Sequence, residues 1–155
     1  MKMIFTDVDG VLTDGRVTLN INSEEKKTIC YRDLDAIGVG RRSGYDFAFV
    51  TGENGDMVKI LAKRFDVKKI YSGEKDKLAA MHKISKEYNL TLDEIIYIGD
   101  SDRDAPALDA VGLGIAPSDG TLTARTAANY VTETKGGYGV LLEVIDKLIA
   151  GKLKI

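Results

Sequence analysis

Short apolar runs that end at polar residues alternate along this chain with segments of helical periodicity. The runs are residues 3–6, 47–50 and 95–98, and aspartate, threonine or glycine follows each of them. Residues 56–65 and 77–88 carry apolar side chains at helical spacing. Continuous apolar strands that alternate with helices are typical of a parallel sheet covered on both faces. The pattern therefore predicts a doubly wound, Rossmann-like α/β fold.

Later segments extend the same alternation. Residues 91–94 have the sequence of a capping box, which here opens at most one turn before the next strand. Gly112 and Gly114 are predicted to bracket a short strand, and Val140–Ile149 is predicted to form an amphipathic helix. No repeat or proline-rich linker divides the sequence, so we expect a single domain over residues 1–155.

One stretch departs from this alternation and predicts a β-hairpin directly after the first strand. Residues 16–22 and 26–31 alternate apolar and polar side chains, and residues 23–25 join them. A two-stranded hairpin is marginally stable alone, and this one would expose apolar area at Val17 and Leu19. We therefore expect this flap, residues 16–31, to lie in a subunit interface.

Composition narrows the classes of partner. Lys and Arg number 22 against 24 Asp and Glu, for a formal net charge of −2, so no basic surface indicates nucleic acid. No apolar run reaches the ~20 residues that span a bilayer, so no membrane partner is expected. Cys30 is the only cysteine, which favours packing in a reduced compartment, and we expect a cytoplasmic protein. His82 is interpreted as a surface or packing residue, and the pair Lys26 and Lys27 as solvated surface charges.

Polar residues follow three of the predicted strands, at the sheet edge where open α/β folds bind ligands. They are residues 7–10, 51–52 and 99–104. Two carboxylates that share a dry site repel each other unless a cation intervenes. Oxygen ligands without a His or Cys cluster favour Mg²⁺ over zinc. The predicted cofactor is therefore Mg²⁺.

These residue types suit phosphoryl transfer. A metal-neutralised Asp7 can attack phosphorus and form an aspartyl-phosphate, which divides hydrolysis into two displacements. Asp9 can protonate the leaving oxygen and then deprotonate the attacking water. Thr51, Gly52 and Lys77 are the candidates for stabilising the charge of the phosphoryl group.

In order and position, four motifs resemble those of the haloacid dehalogenase superfamily: Asp7-Val-Asp-Gly10, Val50-Thr-Gly52, Lys77, and Gly99-Asp100 followed by Asp104. A longer match resembles the family of 3-deoxy-D-manno-octulosonate 8-phosphate phosphatases, which includes phosphatases of nine-carbon sialic-acid-type sugars. It rests on residues 7–15, 32–33, 76–78 and 136–139. The resemblance implies a fold without a separate cap domain and a homotetramer in which the hairpin and tail of one subunit close a neighbour's site.

The resemblance also implies residue roles. Asp7 and Asp100 would bind Mg²⁺ through side chains and Asp9 through its backbone carbonyl. Ser101 and Asp104 would hold water molecules of the metal.

Substrate contacts follow from the same resemblance. Thr51 and Lys77 would bind the phosphate, and Arg32, at the base of the hairpin, would face the substrate. Glu53 and Tyr138 stand where the octulosonate enzymes commonly carry arginine, and Glu53 resembles the nine-carbon sugar phosphatases. The predicted substrate is the phosphate monoester of a 2-keto-3-deoxy sugar acid with eight or nine carbons.

Three alternatives stay open. A broad-specificity sugar phosphatase would use the same motifs. A receiver-like signalling domain also has a doubly wound fold and binds Mg²⁺, but it needs an aspartate at the end of a middle strand, where Thr51 follows Val50. A catalytically silent oligomerisation domain is the third, although every motif position is filled.

Overall fold

The computed structural model describes residues 2–155. In chain order, the strands are β1 (Lys2–Thr6), β2 (Thr18–Leu19), β3 (Glu25–Lys26), β4 (Tyr45–Val50), β5 (Lys69–Tyr71), β6 (Ile96–Ile98), β7 (Leu113–Ala116) and β8 (Tyr130–Val131). The helices are α1 (Tyr31–Arg42), α2 (Asp56–Arg64), α3 (Lys77–Tyr88), α4 (Ala105–Ala110), α5 (Leu122–Ala127) and α6 (Val140–Ile149). None of the helices within this range is long and apolar enough to cross a membrane.

Six strands form one parallel sheet in the order β5-β4-β1-β6-β7-β8. The chain moves from β1 outward through β4 and β5, then returns to the other side of β1 for β6, β7 and β8. Strand order therefore reverses beside β1, and an open α/β sheet binds ligands at such a point. The predicted doubly wound α/β fold is confirmed.

Both faces of the sheet are buried, which explains why its central strands are continuously apolar. Along β1, Ile4 contributes to a core cluster with residues of α1, α2 and α6. Its neighbours Met3 and Phe5 belong to a second cluster with residues of α3, α4 and α5. Successive side chains of a strand point to opposite faces, so one short run of residues serves two cores.

The predicted apolar runs form β1, β4 and β6, and the predicted helices form α2, α3 and α6. Residues Leu92–Glu94 form a single 3₁₀ turn whose capping box is present, with the N–H of Thr91 donating to Glu94 at 2.8 Å. The prediction that Gly112 and Gly114 bracket a strand is wrong. Gly114 lies inside β7, and glycine is required there because a side chain would overlap the backbone of Leu108.

The predicted hairpin exists but is shorter than expected. Its strands β2 and β3 have two residues each and pair antiparallel, Thr18 with Lys26 and Leu19 with Glu25. The side chain of Asn20 accepts backbone N–H groups of two turn residues, at 2.9 and 3.0 Å, which fixes a turn over residues 20–24. The predicted boundaries 16–22 and 26–31 are therefore wrong, and Tyr31 already begins α1.

Candidate active site

The carboxyl ends of β1, β4 and β6 surround a cavity of about 580 Å³, which falls in the usual range for a small-molecule site. Most of the predicted site residues line it: Asp7, Asp9, Thr51, Gly52, Glu53, Lys77, Asp100 and Ser101. The structure thus brings together four segments that are far apart in sequence.

Lys77 joins two buried carboxylates at the floor of this cavity. Asp76 caps α3 by accepting the N–H of Ala79 at 2.9 Å, which places Lys77 at the first position of the helix. From there its Nζ donates to Asp7 at 2.9 Å and to Asp104 at 3.0 Å, with a side chain only 3% exposed. Burial lowers the pKa of Lys77, but the two carboxylates outweigh it and raise the pKa above the ordinary value. Lys77 is therefore a permanent cation.

Asp104 is fully buried and both of its carboxylate oxygens are engaged. Oδ1 accepts from Lys77 and from the hydroxyl of Tyr97, and Oδ2 accepts from the N–H of Asp100 and from Ser101. Burial works against its ionisation, yet these donors hold the pKa of Asp104 below the ordinary value. The side chain thus stays ionised and holds the turn that presents Asp100.

At Asp7 and Asp100 the neighbouring donors and Lys77 do not outweigh burial and repulsion. Burial, followed by repulsion from Asp104, raises the pKa of Asp7 to about 7 even though Lys77 opposes the shift. Burial and repulsion from Asp7 and Asp104 likewise raise the pKa of Asp100 to about 7. Two buried carboxylates this close together destabilise each other as anions, and a bound divalent cation would remove that destabilisation.

The donor set fits magnesium. Carboxylate oxygens of Asp7, Asp100 and Asp104 lie within 4.8 Å of one another, and hard oxygen ligands are those Mg²⁺ prefers. Because the oxygens of Asp104 already accept hydrogen bonds, Asp7 and Asp100 are the better ligands. Gly10 makes room for them: its φ is +85°, and a Cβ there would overlap the carboxylate of Asp100.

Asp9 lies at the rim of the cavity and its side chain is 32% exposed. Its Oδ1 accepts from the hydroxyl of Thr13 at 3.1 Å, and its Oδ2 accepts from Nζ of Lys27 at 2.8 Å. The interpretation of Lys27 as a solvated surface charge is therefore wrong. Lys27 directly follows β3, and its side chain is 8% exposed while the neighbouring Lys26 stays exposed.

Thr51 is buried at the end of β4, where its hydroxyl oxygen accepts the N–H of Glu53 at 3.1 Å. This leaves the hydroxyl hydrogen of Thr51 available to a ligand in the cavity. Gly52 and Glu53 continue around the same wall. The arrangement can donate hydrogen bonds to an anion placed against Asp7.

Arg32 lies in a different depression, beside Tyr138 and Gly139. The next residue, Asp33, is fully buried and accepts the N–H of Leu141 at 2.8 Å, which ties the start of α1 to the start of α6. Burial raises the pKa of Asp33 to about 6, opposed by N–H groups of α6. Within one chain, the predicted substrate residue Arg32 therefore sits at the junction of hairpin and tail, apart from the carboxylates.

Sequence reasoning missed several residues of the site. Lys75 and Arg103 line the cavity and bring positive charge to it, and both lie directly beside motif residues. Their position in the motifs could have suggested them. Lys27 had no such signal, because its contact with Asp9 crosses 18 positions and depends on how the hairpin folds back.

A family model described as haloacid dehalogenase-like hydrolase matches residues 53–144, more than half of the chain. The chain belongs to the haloacid dehalogenase-like hydrolase family. Among relatives within that family, 3-deoxy-D-manno-octulosonate 8-phosphate phosphatase of Yersinia pestis is 32% identical over 155 residues, which cover 100% of this chain and 83% of the relative.

Solved structures of this hydrolase family agree. The 3-deoxy-D-manno-octulosonate 8-phosphate phosphatase of Moraxella catarrhalis, in complex with a magnesium ion, a phosphate ion and KDO, matches with a TM-score of 0.89 and 32% identity, over 97% of this chain and 86% of its own. The cobalt-bound phosphatase of Haemophilus influenzae matches with a TM-score of 0.87 and 30% identity, over 98% and 90%. The family predicted from the motifs is confirmed, whereas the role of each residue stays a prediction.

Proposed function

We propose that this hydrolase is a magnesium-dependent phosphatase that cleaves the phosphate monoester of a 2-keto-3-deoxy sugar acid through an aspartyl-phosphate on Asp7. The observation that carries the proposal is the unequal surrounding of Asp7. Lys77 donates to one oxygen of Asp7, yet burial still raises the pKa of Asp7 and of the neighbouring Asp100 to about 7, so a divalent cation would stabilise both anions. The phosphatases of Yersinia pestis and Moraxella catarrhalis support this reading.

The side chains supply the steps of a double displacement. Oδ2 of Asp7 is held by Lys77 and Oδ1 by the N–H of Val8 at 2.7 Å, which fixes the plane of the nucleophile. A carboxylate oxygen of Asp7 bonds to phosphorus as the bond between phosphorus and the sugar oxygen breaks, and Asp9 donates a proton to the departing sugar oxygen. Asp9 then takes a proton from the water that attacks phosphorus and releases Asp7 from the phosphate.

Charge on the transferring group is met from several directions. Thr51, Gly52 and Lys77 line the cavity together with Asp7 and offer a hydroxyl, a backbone amide and an ammonium group. Such groups stabilise a phosphoryl transition state because they are fixed before the reaction begins. Mg²⁺ held by Asp7, Asp100 and the carbonyl of Asp9 would add Lewis-acid neutralisation of the phosphate oxygens.

The sugar acid would be recognised by cations of the cavity wall. Lys75 and Arg103 line the wall together with Glu53, so a carboxylate and hydroxyl groups of one ligand can be bound at once. Relatives named for octulosonate 8-phosphate support an eight-carbon substrate. Glu53 supports a nine-carbon substrate instead, so both belong to the proposed class.

We also propose a homotetramer in the cytoplasm. The hairpin exposes apolar side chains, with Leu19 63% and Ile21 99% exposed, and Tyr138 of the tail loop is 61% exposed. Apolar surface of this kind at a hairpin marks an interface between subunits. The free thiol of Cys30 is consistent with a reducing compartment. Sedimentation at micromolar concentration tests the assembly, and a monomer would contradict it.

The decisive experiment measures phosphate release from octulosonate 8-phosphate and nonulosonate 9-phosphate, with Mg²⁺ and with a chelator. Asp7→Asn should abolish turnover with both substrates, because the amide cannot attack phosphorus. Asp14→Asn is the matched control, since its carboxylate accepts the N–H of Arg16 at 2.9 Å at the margin of the same loop. Full turnover in Asp7→Asn would refute the covalent route. An equal rate of phosphate release with Mg²⁺ and with the chelator would refute the requirement for a metal ion.

A further inference from the structure

Lys27 links the hairpin to the carboxylate assigned as general acid and base. Its Nζ donates to Oδ2 of Asp9 at 2.8 Å, and its side chain is only 8% exposed although Lys26 and Thr28 on either side are exposed. The aliphatic stem of Lys27 is covered and its ammonium contacts one carboxylate, so solvent screens this ion pair less than an ordinary ion pair on the surface. The contact is therefore a feature of the site and not a solvated charge.

The other oxygen of Asp9 is held by the catalytic loop itself. The hydroxyl of Thr13 accepts the N–H groups of Gly10 and Gly15, each at 3.2 Å. Its single hydrogen is thereby directed to Oδ1 of Asp9, at 3.1 Å. Asp9 is thus fixed from two sides, by a buried threonine of its own loop and by Lys27 of the hairpin.

Neither contact prevents proton transfer. A carboxylate has about four lone-pair sites, and Thr13 and Lys27 occupy one on each oxygen. A free site remains on each oxygen to carry the proton that the mechanism requires. Thr13 moves only with the buried loop, so Lys27 is the partner through which the hairpin determines the orientation of Asp9.

We propose that Lys27 is a positioning residue that makes the geometry of the general acid depend on the hairpin. The inference rests on the proposed role of Asp9. With Lys27 in place, the carboxyl of Asp9 is held in the orientation from which it protonates the leaving oxygen. Without it, one oxygen loses its partner and the side chain turns toward solvent, where 32% of it is already exposed.

The experiment compares two leaving groups in the full chain with saturating Mg²⁺. The quantity is kcat/KM, which covers the steps through departure of the leaving oxygen. An aliphatic sugar phosphate needs a proton on that oxygen, whereas 4-nitrophenyl phosphate releases a stable anion. Lys27→Met should lower kcat/KM about 10- to 100-fold for the sugar phosphate and less than about 3-fold for the aryl ester. Lys27→Arg should recover part of the loss, and Lys26→Met at the neighbouring exposed position should have no effect.

Other outcomes overturn the inference. An equal loss with both substrates would assign Lys27 to phosphate binding or to hairpin folding, and no loss would deny it any role. Asp9→Asn separates the positioning role of Lys27 from the acid role of Asp9. If Asp9→Asn spares the aryl ester and Lys27→Met does not, only the positioning role fails. If Asp9→Asn reduces both substrates equally, the proposed acid role of Asp9 fails and the positioning role fails with it.

Discussion

The cavity floor and the hairpin are built in opposite ways. At the floor, Lys77 and Asp104 are buried, and every polar atom of these two side chains has a partner in the sheet or its loops. The hairpin consists of two strands of two residues, and its turn leaves Ile21 99% exposed. Chemistry that needs fixed charges is thus placed on the rigid sheet, and completion of the site is left to a segment without a core of its own. The two regions meet where Lys27 contacts Asp9.

The largest effect is expected where the rigid region tolerates least change. Gly10→Ala would force a Cβ into the carboxylate of Asp100 at a backbone φ of +85°. Displacement of Asp100, the proposed metal ligand, by about 1 Å is expected to lower kcat/KM about 100-fold and to raise the Mg²⁺ concentration needed for half-maximal activity.

Gly44→Ala separates crowding from backbone strain. Gly44 has a φ of +90°, but a Cβ there would meet nothing within 4 Å. We expect this variant to be less stable than the wild type and to keep its Mg²⁺ dependence. If both variants lose activity to the same extent, the close packing of Gly10 against Asp100 does not govern the site, and the contrast with the hairpin weakens.

An intermediate effect is expected at Asp33, which ties the start of α1 to the start of α6. Its pKa is raised from 3.8 to about 6 by burial, so the folded protein keeps this proton at pH values where the unfolded chain has released it. The free energy of unfolding therefore falls as pH rises from about 4 to about 6, and the loss approaches about 3 kcal/mol.

Asp33→Asn removes this titration. The difference in unfolding free energy between wild type and variant should fall across pH 4–6 in denaturant melts, and other titrating groups cancel in the difference. Asp35→Asn, exposed on the same helix, should show a constant difference. A constant difference for Asp33→Asn as well would mean that burial does not shift this carboxyl.

The smallest effect is expected at the cavity wall. Arg103→Gln should raise KM for a sugar-acid phosphate about 10-fold, because one charge-assisted hydrogen bond is lost. KM of this variant for a neutral sugar phosphate should stay unchanged. Lys86→Gln, at the far end of α3, should leave KM unchanged for both substrates. An equal rise for both substrates would assign Arg103 to the phosphate instead of the sugar carboxylate.

Much of the rigid region is predictable from sequence because its signals are local. Asp7 and Thr51 directly follow apolar strands, Asp100 follows β6 after Gly99, and parallel strands deliver their carboxyl ends to one edge. The start of α3 is encoded by Asp76 as its cap, which places Lys77.

The hairpin region is less predictable because its contacts are not local. The turn is set by the side chain of Asn20, which shifts the strand boundaries from those that alternation indicates. Within α1, Gly40 weakens the helical signal, yet it is required because the ring of Phe47 packs where a Cβ would stand, 2.6 Å from the nearest ring atom. The partner of Lys27 follows only from the folded hairpin.

The junction of the tail with the catalytic loop has a consequence for biosynthesis. The backbone at Gly136 packs so closely on that of Gly10 that no side chain fits between them, and the N–H of Gly137 donates to Val11 at 2.9 Å. Asp33 adds a link across 108 positions to α6. A nascent chain that has left the ribosome only through β7 carries all four motifs, but the loop that holds the proposed nucleophile Asp7 lacks the support of residues 136–137. Hydrolytic activity should therefore begin only after nearly the whole chain has been synthesised.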